Sequence, residues 1–172
     1  MDPPVYAHFP SFRKNVTPRL ESSPGSAATI FASMATLFTR IIEGEIPGRF
    51  VWRDDRAVAF MTIAPIKPGH VLVAPIEEID HWLDAPADLR NHLMDVAAAI
   101  GTAQMKAFRP ARIGVIIAGL EVPHLHIHVI PVETEQDLNF ANADQSVTAE
   151  ALDETMRKLR TALADKTDAV AP

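Results

Sequence analysis

Three histidines fall at alternate positions in the segment Val122-Pro-His-Leu-His-Ile-His-Val-Ile-Pro-Val132. Successive side chains of a strand point to opposite faces, so His124, His126 and His128 share one face and Leu125, Ile127 and Val129 the other. The apolar face suits a layer of helices and the imidazole face a groove. A metal site is one reading of such a row. At about 3.3 Å per residue, however, the outer two histidines stand about 13 Å apart along a straight strand. One tetrahedral ion with bonds of about 2.0–2.1 Å does not reach all three. Two histidines with a distant carboxylate, and hence a metal hydrolase, stay open as an alternative. A purely structural row is costly, since each ring brings nitrogens that need partners when buried. Chemistry on phosphorus uses the residue type well. A neutral imidazole is a nucleophile towards a phosphoryl centre, and its neighbours can protonate a leaving group or stabilise charge on the oxygens.

Such a row needs elements to hold it. Leu37, Phe38, Ile41 and Ile42 are spaced for one face of a short helix, closed by Gly44 and Pro47. Phe50-Val-Trp52 and Ala57-Val-Ala-Phe60 read as strands around the polar turn Arg53-Asp-Asp-Arg56. Pro65 and Pro68-Gly69 precede a strand at His70–Ala74. After Pro86, Leu89, Leu93, Val96, Ala97 and Ile100 follow a helical stripe that Pro110 ends. Ile113–Ala118 and Val122–Val132 read as further strands joined at Gly119, and Leu152, Met156, Leu159 and Leu163 as the apolar stripe of a last helix. The expected class is α+β, with about five strands in a mostly antiparallel sheet and helices packed on one side.

Composition narrows the function. Forty-eight per cent hydrophobic residues among 172 are enough for a real core. Sixteen basic against 22 acidic residues give a net charge of −6, which argues against a nucleic-acid partner held through a basic face. The chain has no cysteine, so disulfides, thiolate catalysis and Cys-ligated zinc are out. The most apolar N-terminal run, residues 26–38, falls short of the roughly 20 residues of a membrane span, and a cytoplasmic protein with no membrane partner is expected. Residues 1–33 hold five of the fourteen prolines and no sustained periodicity. They are expected to be a disordered extension, with Met34 as a candidate true start and a transit peptide as an alternative. Residues 34–140 are then the domain core and 141–172 a C-terminal helix and tail.

The motif His124-Leu-His-Ile-His-Val-Ile130 resembles the signature of the histidine triad (HIT) family of nucleotide hydrolases and transferases. The likeness extends to Phe38-Thr-Arg-Ile-Ile-Glu-Gly-Glu-Ile-Pro47, Asp54-Asp-Arg-Ala-Val-Ala-Phe60 and Ala64-Pro-Ile-Lys-Pro-Gly-His-Val-Leu-Val-Ala-Pro75, in the family's order. The resemblance implies a HIT-like fold and a two-fold homodimer made through the long helix and an edge strand. It implies a purine nucleotide substrate and no cofactor. His126 would be the nucleophile that forms a nucleotidyl-histidine. Of His124 and His128, one would contact phosphate oxygens and the other fix the nucleophile's tautomer, with His70 backing them from the neighbouring strand. Leu37, Phe38, Ile41, Phe60 and Ile63 would form the slot for the base, although the same residue types also make ordinary core. A nucleotide- or partner-binding module with little catalysis is the alternative from another class.

Three departures from the family pattern bear on substrate. Thr62 stands where many relatives place an acid or amide for the ribose hydroxyls, and one hydroxyl cannot clamp two oxygens. Gly119-Leu120-Glu121 replaces the usual Gly-Gln-Ser/Thr, and the preceding loop lacks the usual Asn. An ionised Glu121 disfavours long polyphosphates and favours neutral, amine-bearing or cationic leaving groups; a surface turn is its bland role. The cysteines by which some bacterial relatives hold zinc are absent, so no metal is implied. His81 and His92 are expected at the surface.

Overall fold

The computed structural model describes residues 35–164. The expectations for residues 1–33 and for Met34, and for the tail after residue 164, lie outside them.

Thr36 caps the first helix, α1 (Leu37–Ile42), by accepting the Thr39 N–H at 3.1 Å on its hydroxyl. The chain leaves the helix through Gly44, whose φ of +84° suits a residue without Cβ. Strands β1 (Phe50–Arg53) and β2 (Ala57–Met61) form a hairpin. Its turn is built on Asp54, whose carboxylate accepts the N–H groups of Arg56 (2.9 Å) and Ala57 (2.8 Å). The same carboxylate takes Trp52 Nε1–H at 2.7 Å and lies 3.0 Å from His92 Nε2. His92 is therefore half-buried against the hairpin, where the sequence suggested a plain surface residue; side chains 38 positions apart meet only once the long helix has docked.

Strand β3 (Val71–Pro75) leads to α2 (Ala87–Phe108), which ends on Arg109 in the left-handed region just before Pro110. Strands β4 (Arg112–Ile116) and β5 (Ile127–Val132) follow, then α3 (Ala149–Leu163), capped by Thr148. The five strands pair antiparallel throughout in the order β1-β2-β3-β5-β4. This is the α+β class and antiparallel sheet expected, but the helices are not all on one side: α1 packs on the face opposite α2 and α3. Leu89, Leu93, Val96 and Ile100 of α2, with Leu159 and Leu163 of α3, cover one face of the sheet over Val71, Val73, Ile127 and Val129. On the other face Phe38 and Ile42 of α1 pack on Val58, Phe60, Leu72 and Ala74. Covered on both sides, β2 and β3 are buried at every residue, and their apolar runs show no alternation.

The largest boundary difference from the sequence reading is at β5. The strand expected from Val122 begins only at Ile127. Pro75 has no N–H to extend the β3 ladder, and Pro123 has none either. The chain turns back instead, with His124 N–H on the Val122 carbonyl (2.8 Å) and Leu125 N–H on the Ile79 carbonyl (2.6 Å). This departure also ends β4 at Ile116, short of the expected Ala118. The alternation of faces nevertheless survives: Leu125, Ile127 and Val129 lie in the helical core, and the three histidines lie opposite.

Candidate active site

His70, His124 and His126 each bond to a backbone group and His128 to the His70 ring, and these partners set the tautomers. A carbonyl oxygen only accepts, so His126 Nδ1, 2.7 Å from the His124 carbonyl, carries the proton. Its Nε2 is left with a free lone pair. His70 Nδ1 accepts the Ile66 N–H at 3.2 Å, so a neutral His70 carries its proton on Nε2 and donates it to His128 Nδ1 at 3.0 Å. His128 is then protonated on Nε2. The two rings lining the cleft thus differ in function: His126 offers a lone pair, and His128 an N–H. Their centroids are 4.8 Å apart.

Burial keeps all four rings neutral. It pushes His70 down to about 3, with the charges of His128 and His126 adding to the effect. His128 is lowered to about 4, by burial and then by His126. His124 and His126 also fall below the ordinary histidine value because they are desolvated. The negative charge of Glu121 works against that depression at His126. The end of the β3–β5 pair therefore carries a row of uncharged imidazoles at neutral pH, which the tautomer pattern requires.

A cleft of ≈ 410 Å³ opens in front of His126 and His128. It brings together all seven residues the sequence pointed to for substrate: Leu37, Phe38, Ile41, Phe60, Thr62, Ile63 and Glu121. Phe38 stands at its back, edge-on to Phe60 (5.3 Å) and to His126 (5.0 Å). His70 and His124 are behind the wall, 2 % and 0 % exposed, with both nitrogens of each ring engaged by protein groups. The Thr62 hydroxyl accepts the Ala64 N–H at 3.3 Å and keeps its own proton for donation. A larger, open depression between α2 and α3, lined by Lys106, Arg157 and Lys158 among others, holds none of these groups.

The model of the HIT domain matches residues 43–135. The chain belongs to the HIT family. An uncharacterized HIT-like protein of Saccharolobus solfataricus is 34% identical over 100 residues, 55% of this chain and 72% of that protein. Another, of Methanocaldococcus jannaschii, is 34% identical over 99 residues, 55% of this chain and 77% of that one. The crystal structure of a HIT-like protein of Bartonella henselae, 33% identical, superposes with a TM-score of 0.67 over 74% of this chain and 96% of its own.

Several neighbours of the triad in this HIT domain are absent from the sequence reading. Phe140, in the irregular segment after β5, packs edge-on against His128 at 4.9 Å, and Gln145 lines the cleft. Gln104 of α2 is fully buried and donates to the Gly69 and Val129 carbonyls at 2.7 and 2.9 Å. It ties together the backbone beside His70 and beside His128. Its place four residues after Ile100 on the apolar stripe was the available signal. Thr36, Thr39 and Glu78 gather around His124.

Proposed function

We propose that this HIT protein is a nucleotide hydrolase or nucleotidyl transferase, acting on an ester or amide of a purine nucleoside monophosphate through a nucleotidyl-histidine at His126. The observation that carries the reading is the His126 Nδ1–H bond to the His124 carbonyl, which leaves the Nε2 lone pair at the cleft. In the first step Nε2 attacks the α-phosphorus: a P–N bond forms and the bond to the leaving group breaks. His128 Nε2–H gives its proton to the departing atom. In the second step water attacks phosphorus, its proton returns to His128, and the P–N bond to His126 breaks. The opposite tautomers of the two rings supply the base-free nucleophile and the acid that this double displacement needs.

The apolar wall of Leu37, Phe38, Ile41, Phe60 and Ile63 supports a flat base as occupant. Glu121 at the same cleft supports an amine-bearing leaving group, hence a phosphoramidate, over a polyphosphate. A homodimer fits exposed apolar side chains on α2 and on the edge strand β4. Met94 and Met105 on α2 are 45 % and 42 % exposed, and Val115 on β4 is 43 % exposed.

His126→Asn tests the reading. Turnover of adenosine 5′-phosphoramidate should drop by about 10³-fold or more, while AMP still binds. Unchanged turnover in the variant would favour a binding module with contaminating activity.

A further inference from the structure

We propose that Thr36, Thr39 and Glu78 form a positioning relay that holds His124 and, through the His124 carbonyl, keeps the nucleophile His126 in its reactive tautomer. The proposal deepens the function read above and rests on it for its catalytic consequence.

The relay has two ends that only accept, a carbonyl oxygen and an ionised carboxylate. At one, the Pro75 carbonyl lies 2.9 Å from His124 Nε2, so that nitrogen donates. At the other, the Glu78 carboxylate accepts the Thr39 hydroxyl and, at 3.0 Å, the Thr36 N–H. A neutral His124 therefore has its lone pair on Nδ1. The Thr36 hydroxyl, 3.0 Å from that nitrogen, supplies the proton. The Thr39 hydroxyl lies 3.4 Å from the same nitrogen and 2.9 Å from the Thr36 hydroxyl. Ring orientation and tautomer are thus set from both sides of a fully buried side chain.

A helix cap alone does not need this arrangement. Thr36 already satisfies the Thr39 N–H at the start of α1, and neither the cap nor an exposed glutamate requires a link to a triad residue. The link joins α1 to the triad. Phe38, two residues after Thr36, packs on both His124 (5.9 Å) and His126 (5.0 Å). The His124 carbonyl that orients His126 belongs to the residue the relay clasps.

The chain of hydroxyls also accommodates a second proton on His124. Nδ1–H would then donate to Thr36, Thr36 to Thr39 and Thr39 to Glu78, giving one proton to every contact. The groups facing His124 are Glu78 from the segment after β3, His126 on its own segment, and the uncharged Thr36, Thr39 and Pro75 carbonyl. Glu78 is the one anion among them, and it favours the protonated ring.

The test combines ring ¹⁵N–¹H spectra of the full chain with single-turnover rates on adenosine 5′-phosphoramidate. The variants are Thr36→Val, Thr36→Ser, Thr39→Val and Glu78→Gln. The wild type should show the Nε2–H tautomer at His124 and the Nδ1–H tautomer at His126. Glu78→Gln should move the titration of His124 to lower pH. Thr36→Val should shift the His124 Nδ1 resonance, mix the His126 tautomers and slow transfer roughly tenfold, and Thr36→Ser should restore all three. Unchanged ring spectra and titrations in Thr36→Val, Thr39→Val and Glu78→Gln overturn the relay. So does a slow Thr36→Val whose His126 tautomer is still that of the wild type, since loss of the helix cap alone gives that result. If the wild type turns over no nucleotide, the functional reading fails, and the spectra still decide the relay. Glu78→Gln, at an exposed site, keeps the test open if a threonine variant does not fold.

Discussion

His70 Nε2 lies 3.0 Å from His128 Nδ1, and this contact between β5 and the residue just before β3 assigns the His128 proton to the nitrogen at the cleft. Removing the donor should cost acid catalysis more than binding. His70→Phe is expected to lower kcat on adenosine 5′-phosphoramidate about 10²-fold, with a smaller change in KM. Steady-state kinetics on a variant with native circular dichroism checks this; a kcat within twofold of wild type would separate His70 from the reaction.

The neutral histidines make the fold acid-sensitive. His70 and His128 are held at about 3 and about 4, well below the value near 6.5 of an unfolded histidine. The unfolded chain therefore binds more protons than the folded one between those values. This contribution to stability is fully present above about pH 6.5 and is lost as pH falls towards the folded values, at about 1.4 kcal/mol per pH unit for each ring. Urea midpoints should drop steadily between pH 7 and pH 5, and less steeply for His70→Phe. A flat profile over that range would contradict the buried neutral rings.

Gln104 ties the backbone just before His70 to β5. Gln104→Leu leaves two buried carbonyls without their donor and should destabilise the fold by about 1–3 kcal/mol, read from urea unfolding. Because those carbonyls belong to Gly69 and Val129, kcat should fall as well. A variant as stable as wild type would mean that the carbonyls find other donors.

Glu121 should act on both substrate choice and pH dependence. Wild type is expected to cleave adenosine 5′-phosphoramidate with a higher kcat/KM than diadenosine polyphosphate, and Glu121→Gln should narrow that gap. The carboxylate raises the His126 pKa, so its removal should move the acid limb of kcat/KM to lower pH. An unchanged substrate ratio and limb would make Glu121 a surface turn residue.

The legible and the hidden parts of this protein differ in range. The alternation through His124, His126 and His128 and the stripe from Leu89 to Ile100 are local patterns, and both describe the folded chain. The residues gathered at the cleft also lay within recognisable segments. Thr36 and His124 are 88 positions apart, and Thr39 and Glu78 39 apart; nothing in either neighbourhood signals the other. Phe140 and Gln145 sit in an irregular stretch with no period to read. β5 starts late because Pro75 and Pro123 lack the N–H a ladder needs, a constraint that alternation of side chains does not show.

The claim on which the rest depends is the covalent bond at His126. The direct measurement is mass spectrometry of the protein quenched within one turnover of adenosine 5′-phosphoramidate. The account predicts an added adenylyl group on the peptide containing His126, absent from His126→Asn. Turnover with no adduct, or an adduct on a different residue, would contradict it.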